Sequence, residues 1–190
     1  AGDVIVSGGI LNSDGTLQIK ANGTVQLLPK AVRQKHAQQG EKWTDSSSSL
    51  KNIQTKLSAV DLLSIVSKQA IYAEGALIES EGILELLADM GIVLVAATDT
   101  SSYQKTFEAS SSGLFGTTEK SSESESRANI VRTMLKAGHS LIISSEFGPV
   151  TLQAVNLESE GLTKVLAGDT INFKAYLENH EKNETESYEG

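Results

Sequence analysis

Two pairs of glutamates have the spacing closest to that of a chemical site in this sequence. Glu79 and Glu81 flank Ser80, residues 158–160 repeat this Glu-Ser-Glu arrangement, and residues 12–14 read Asn-Ser-Asp. Because alternate residues of a strand point to one side, each pair could bind a cation or act as paired carboxylates. The alternative, which we favour, is a solvated turn, since a glycine follows each triplet. Calcium-binding repeats use a Gly- and Asp-rich nonapeptide, which this sequence lacks.

The other candidate residues argue against catalysis. No histidine has a second histidine at ligand spacing or a shared repeat position, and the chain has no cysteine; the histidines are His36, His139 and His180. No Gly-x-Ser-x-Gly motif is present. Three candidate acids of a glycan-cleaving groove are not repeated in type: Asp61, Asp89 and Asp99. We therefore predict a protein that is not an enzyme, with no catalytic residue, metal site or cofactor. A β-helical glycan-active enzyme is the rival from another class.

Five large apolar side chains lie in polar stretches and are the candidate surface-contact residues: Trp43, Tyr103, Phe107, Leu114 and Phe115. Exposed aromatic residues of this kind can form an edge that contacts a glycan or a membrane. The alternative is that they pack their polar stretch back onto the rest of the protein. The second interpretation is the one that we favour.

The elements that position these residues are repeated. Residues 10–30, 77–97 and 156–176 align without a gap on three glycines and three alanines, which we take as the repeat-defining structural residues: Gly15, Gly82, Gly161, Ala21, Ala88 and Ala167. Apolar positions are kept while the positions between them vary. This pattern is typical of a solenoid, in which each unit buries its face against the next.

The repeat predicts an all-β fold, a right-handed parallel β-helix with polar hairpin or loop inserts on one face. Residues 50–90 alone have helix-like spacing, but the flanking copies carry turn signals between short alternating runs, and copies of one repeat share a fold. We expect about two coils per copy, at about 20 residues per coil. The inserts are predicted at approximately 31–56, 98–133 and 177–190. Residues 101–126 are expected to form a two-stranded hairpin or a flexible flap, and disorder is the alternative for residues 121–126. Residues 1–190 are then a single β-helix segment of a longer chain.

Composition agrees with a thin solenoid. Hydrophobic residues make up 39% of the chain but aromatic residues only 5%, so aliphatic side chains must fill the core. The net charge of -8 argues against sequence-independent binding to nucleic acid or to an anionic membrane, both of which require clustered Lys and Arg. No secretory or transmembrane segment is evident.

The sequence resembles the haemagglutinin repeats of very large two-partner-secretion exoproteins of Gram-negative bacteria. The motifs that carry the resemblance are ATDTSS at 97–102, SGLF at 112–115 and LKAG at 135–138. The first junction departs from the pattern, since LPKA occupies residues 28–31 and no SGLF follows. The family includes filamentous haemagglutinin-like adhesins and effectors of contact-dependent growth inhibition.

The resemblance implies a structural and interaction module that is secreted or displayed on the bacterial surface. It implies export through an outer-membrane transporter of the two-partner-secretion type and contact with a target cell's surface or outer membrane. Toxin delivery in growth inhibition is the favoured use, on the SGLF insert, and a host-cell adhesin shaft is the alternative. An excised fragment has open coil edges, so we also expect end-to-end self-association.

Overall fold

The computed structural model describes residues 2–110, 118–176 and 180–189. Strands account for nearly all of their regular structure. In chain order they are β1 (Val4–Ser7), β2 (Ile10–Ser13), β3 (Thr16–Ala21), β4 (Val25–Leu28), β5 (Lys30–Gln39), β6 (Trp43–Ile53), β7 (Lys56–Ala59), β8 (Leu62–Ser67), β9 (Ala70–Glu74), β10 (Leu77–Ser80), β11 (Ile83–Ala88), β12 (Gly91–Val95), β13 (Ala97–Ser110), β14 (Thr118–Val131), β15 (Thr133–Ala137), β16 (Ser140–Ser145), β17 (Val150–Gln153), β18 (Val155–Ser159), β19 (Leu162–Ala167), β20 (Ile171–Lys174) and β21 (His180–Glu189).

Sixteen of these strands form three parallel sheets. Sheet A has the order β1-β4-β9-β12-β17-β20, sheet B has β18-β15-β10-β7-β2, and sheet C has β19-β16-β11-β8-β3. The chain passes from sheet B to sheet C to sheet A and then starts again, so each circuit is one coil and five coils are complete. This arrangement confirms the predicted parallel β-helix.

The strand register confirms the repeat alignment. Consecutive rungs of sheet C place five aligned residues in one column: Leu17, Leu63, Leu84, Leu141 and Thr163. The residues that the repeat equates stand two rungs apart, with one further coil between them. Each copy therefore contributes two coils of about 20 residues, as expected.

Inward-facing aliphatic side chains form the core. Strands β10 and β11 alternate between half-exposed and buried positions along Leu77–Ser80 and Ile83–Ala88, the period of two that a strand requires. The helix-like spacing within residues 50–90 therefore belongs to strands. The helix-like spacing arises because residues at the corners of the coil shift the apolar period from one strand to the next. The largest fully buried side chains are Leu27, Leu57, Leu63, Ile65, Ile71, Ile78, Leu84, Leu86, Ile92, Leu94, Leu135 and Leu141.

The corners between sheets B and C explain two of the repeated glycines. A Cβ on Gly82 would lie 2.0 Å from the carbonyl oxygen of Asp61, and one on Gly161 would lie 2.1 Å from that of His139. Both carbonyls belong to the preceding coil, so no side chain fits. Gly15 is different, because its nearest neighbour would be Asp61 Oδ2 at 3.6 Å, an ordinary contact.

The corners between sheets A and B use the left-handed backbone region. Gly8 and Gly75 have φ values of 58° and 52°, and Ala154 occupies the equivalent corner with φ 52°. Alanine is strained in this region, by about 1 to 2 kcal/mol. The corner at Ala154 is therefore more strained than the corners at Gly8 and Gly75.

The chain divides into two compact units. Unit 1 comprises Ala1–Lys30, Asn52–Ala97 and Ile130–Leu177, and unit 2 comprises Ala31–Lys51, Thr98–Asn129 and Glu178–Gly190. Unit 2 contains a sheet of order β21-β14-β13-β6-β5, in which β6 pairs antiparallel with β13 and β14 with β21. Strand β14 includes Ser121 to Ser126, so these residues form a strand rather than a disordered flap. None of the described side chains of unit 2 is buried.

Among the described residues, no helix is long and apolar enough to cross a membrane.

Candidate contact surface of the antiparallel sheet

The register of β6 and β13 brings aromatic residues of two different inserts together. Trp43 lies directly opposite Phe107, and Tyr103 lies opposite Ser47 on the same face. The alternation of a strand places Lys105, opposite Asp45, between them. Trp43 is 39% exposed and Phe107 44% exposed, while Tyr103 is half-buried. We call this side of the sheet the aromatic face; it presents Trp43, Asp45, Ser47, Tyr103, Lys105 and Phe107.

A glycine fixes the position of Trp43. The turn between β5 and β6 is tight, because the Gly40 N–H donates to the carbonyl oxygen of Trp43 at 2.8 Å. A Cβ on Gly40 would lie 2.3 Å from the indole Nε1 and 2.7 Å from Cε2. The indole ring therefore packs against the bare backbone of Gly40.

The opposite side of the sheet carries hydroxyl groups. The Thr44 and Thr106 hydroxyls share a hydrogen bond across the strands, and the Ser48 and Ser102 hydroxyls share another at 2.8 Å. These residues alternate with those of the aromatic face, so the two sides differ in chemistry. We call this side the hydroxyl face.

Some of the basic residues of unit 2 are paired with carboxylates of the same unit. Arg127 forms an ion pair with Glu125, and Lys182 forms one with Glu184. The hydrogen bond from Lys182 to Glu184 raises the pKa of Lys182. Two basic groups are thus already occupied by carboxylates of the sheet.

Three of the five predicted contact residues therefore share one surface, namely Trp43, Tyr103 and Phe107. The other two, Leu114 and Phe115, lie outside the described residues, together with the rest of the SGLF motif.

Glutamates of the two pairs in unit 1 line one open cleft, where Glu79, Glu81 and Glu160 lie with Asp14, Lys136 and His139. One outward column of sheet B runs Asn12, Ser58, Glu79, Lys136 and Glu158, so a lysine separates the two glutamates. Ser80 points inward, is 4% exposed, and has no hydrogen-bond partner for its hydroxyl. No group of metal-ligating side chains is found among the residues that the structure describes.

The isolated histidines and aspartates are also dispersed. His36 belongs to unit 2 and His139 to unit 1, where its Nδ1 lies 3.3 Å from the Glu81 carbonyl oxygen. Asp61 follows β7 and Asp89 follows β11, so they occupy different corners of the coil. These acids do not line one groove.

Sequence analysis missed two buried threonines where the inserts begin and end. Thr55 Oγ1 donates to the Leu28 carbonyl oxygen at 2.6 Å, and Thr133 Oγ1 donates to that of Val95 at 2.6 Å. Leu28 and Val95 are the last residues of β4 and β12, so each bond joins the end of a coil to the point where the chain returns. We call Thr55 and Thr133 the clasp threonines. The signal was present, because QTKL at 54–57 aligns with RTML at 132–135.

The stacked coils define a repeat protein of the parallel β-helix class. Residues 114–190 match the family model described as Hemagglutinin repeat. This match confirms the resemblance to haemagglutinin repeats over residues 114–190. No curated protein and no solved structure shows significant similarity to the chain.

The matched family has general properties. Haemagglutinin repeats are typically non-catalytic structural repeats, and the proteins that contain them are secreted or surface exoproteins. The filamentous haemagglutinin family also implies export by two-partner secretion.

Proposed function

We propose that this chain is a segment of the shaft of a large exoprotein, with unit 1 as a rod and unit 2 as a surface that contacts a cell. The stacked coils of unit 1 are the observation that carries the rod. Each coil is hydrogen-bonded to the next along three sheets, and its inward side chains continue columns that are fully buried in the middle coils. A rod of this kind keeps its form through nearest-neighbour contacts alone.

The same stacking supports a role in export. A coil that folds outside the cell buries its apolar side chains on the coil before it, and this burial opposes backward movement of the chain. The partner in this step is the outer-membrane transporter of the two-partner-secretion type. The mechanism requires folding without any factor from inside the cell.

Refolding tests this mechanism directly. The purified chain is unfolded in urea, diluted, and followed by far-UV circular dichroism and by emission of Trp43, its only tryptophan. We expect a strand spectrum and the native emission to return together. Permanent loss of both signals on dilution would contradict spontaneous folding as the driving step.

The two possible uses of the rod differ in the kind of cell that it contacts. We propose contact with a target bacterium and toxin delivery in growth inhibition, which the SGLF insert favours; a host-cell adhesin shaft is the second use. Deleting residues 112–115 from the complete exoprotein should abolish growth inhibition in co-culture while secretion continues. Unchanged inhibition combined with lost adherence to host cells would instead support the adhesin.

The last coil supports self-association of the isolated chain. Ile171 and Phe173 continue inward columns of sheet A, yet they are 43% and 72% exposed, because no described strand covers β20. We propose that a second copy covers this end in solution. Light scattering should show association that rises with concentration and that Phe173→Asp reduces. A monomer at all concentrations would refute it.

A further inference from the structure

We propose that the outer edge of β5 pairs with β21 of a second copy of this chain, so that the antiparallel sheets of the two copies join into one. Strands β5 and β21 are the two outermost strands of this sheet, and no described strand pairs with the outer edge of either. An unpaired edge offers a row of N–H and C=O groups to another strand. This contact is independent of the one proposed above at the last coil of unit 1.

The backbone of β5 directs alternate groups to the outer edge. Strands β5 and β6 form a hairpin, in which the Gly40 N–H points at β6 and donates to the Trp43 carbonyl oxygen. Backbone groups of an antiparallel strand alternate in direction from one residue to the next. The groups of Gln38 therefore also point at β6, whereas those of Ala37 and Lys35 point to the outer edge. Strand addition at this edge can use them.

The edge of β5 is accessible and lacks a proline that would block it. The strand is ten residues long, and every one of its side chains except that of Val32 is exposed. Natural edges are usually short, bulged, interrupted by proline, or charged. Strand β5 relies on charge alone, since it carries Lys30, Arg33 and Lys35 and no acidic residue. Such an edge repels a second β5 and favours a strand of opposite charge.

Strand β21 has the matching length and the opposite charge. It also has ten residues, and its sequence, HEKNETESYE, contains four glutamates and one lysine. With histidine counted as neutral, the formal charge is -3 for β21 and +3 for β5. Cross-strand pairs of opposite charge stabilise a sheet, and pairs of like charge destabilise it. Pairing of β5 with β21 is therefore favoured over pairing of either strand with its own copy.

The two edges belong to different strands, so the contact is heterologous. Each added copy leaves one β5 edge and one β21 edge still open. Association by such a contact continues beyond the dimer unless the rotation between copies closes a ring.

Salt separates this contact from the apolar contact at the last coil. The complete chain with Phe173→Asp, which blocks the last coil, is followed by sedimentation velocity as salt rises from about 0.01 M to about 1 M and the Debye length falls from about 30 Å to about 3 Å. Each natural copy has a net charge of -8, so screening should strengthen an apolar contact between copies. We expect the remaining association to weaken about tenfold instead, because each exposed ion pair contributes about twofold and three charges are opposed.

Two outcomes of the salt series overturn the edge pairing. One is a Phe173→Asp chain that is monomeric at low salt, which would leave the contact at the last coil standing. The other is association of this chain that strengthens as salt is added.

Variants locate the contact on β5. Ala37→Pro removes an N–H that points to the outer edge and leaves the hydrogen bonds to β6 in place. In the Phe173→Asp chain it should weaken association about tenfold, the loss expected for one unmade hydrogen bond. Ala37→Ser keeps the N–H and is the matched control, and Lys35→Glu is a second variant that should weaken association without a proline. Equal association of all three variants refutes the assignment to β5.

Cross-linking identifies the partner strand. The chain has no cysteine, so introduced cysteines report only the chosen positions. Ala37→Cys and Asn183→Cys chains are mixed and treated with a short bis-maleimide. The mixed dimer should exceed the dimer of either variant with itself. An excess of the Ala37→Cys dimer with itself would show β5 paired with its own copy and would overturn the pairing of opposite charges.

Discussion

Replacing a clasp threonine by valine removes two hydrogen bonds from a closed site without changing its shape. Thr133 is fully buried; its hydroxyl donates to the Val95 carbonyl oxygen at 2.6 Å and accepts the Ala76 N–H at 3.2 Å. Valine has the same outline but neither donor nor acceptor. Thr133→Val therefore leaves the Ala76 N–H unpaired, whereas the Val95 carbonyl oxygen loses one hydrogen bond but still accepts the Gly75 N–H at 3.0 Å.

The magnitude follows from these two groups. The unpaired Ala76 N–H costs about 2 kcal/mol and the lost hydrogen bond to the Val95 carbonyl about 1 kcal/mol, so the two together predict a loss of about 3 kcal/mol in the free energy of unfolding. The added methyl group of valine returns about 0.8 kcal/mol of apolar burial. The net expectation is a loss of about 2 kcal/mol, which at a typical urea dependence moves the midpoint by about 1 M.

Urea unfolding followed by circular dichroism measures this loss, and amide hydrogen exchange locates it. The Ala76 amide should lose protection in Thr133→Val, because its acceptor is gone. Thr151→Val is the matched control, since Thr151 faces outward on β17 and is half-exposed. If both variants unfold at the same urea concentration and the Ala76 amide stays protected, the clasp does not hold the end of the insert.

Three further predictions concern single positions. Gly82→Ala should destabilise the fold by at least about 2 kcal/mol in urea unfolding, because the added Cβ would overlap a backbone carbonyl oxygen. The aligned Gly15→Ala should cost under about 1 kcal/mol, and equal losses would contradict the corner geometry. Ala154→Gly should stabilise the chain by about 1 kcal/mol in thermal unfolding by relieving a left-handed alanine, and a destabilised variant would contradict the assigned φ. Burial, and then the charge and hydrogen bond of Glu74, raise the pKa of Tyr72; the phenol therefore stabilises the fold below its ordinary pKa, and this contribution is lost as pH rises through the raised value. An ultraviolet pH titration should show Glu74→Gln lowering that pKa, and an unchanged value would refute the coupling.

The register of the β-helix was predictable because inward positions of a solenoid repeat. Aligning Gly15, Gly82 and Gly161 fixes which residues share a column, since a one-residue slip would turn every side chain to the other face. The same alignment also separates strand from helix, although residues 50–90 alone do not. Local spacing was ambiguous there, and the repeat supplied the long-range information.

The sheet of unit 2 was not predictable to the same degree. Its strands are rich in Ser, Thr and Glu and bury no described side chain, so no hydrophobic period fixes which strand pairs with which. Tyr103 and Phe107 show their alternation within one strand, but Trp43 comes from another insert. Its place opposite Phe107 depends on a pairing between inserts that the sequence does not encode as a pattern.

The two units thus obtain their stability in different ways. Unit 1 obtains its stability from aliphatic columns, which leaves its outward residues open to variation, such as Glu79 beside Lys136 in one column. Unit 2 has no described buried side chain, so cross-strand pairs such as Trp43–Phe107 and Ser48–Ser102 must supply much of its order. Residues that hold this sheet together are therefore the same residues that it presents to solvent.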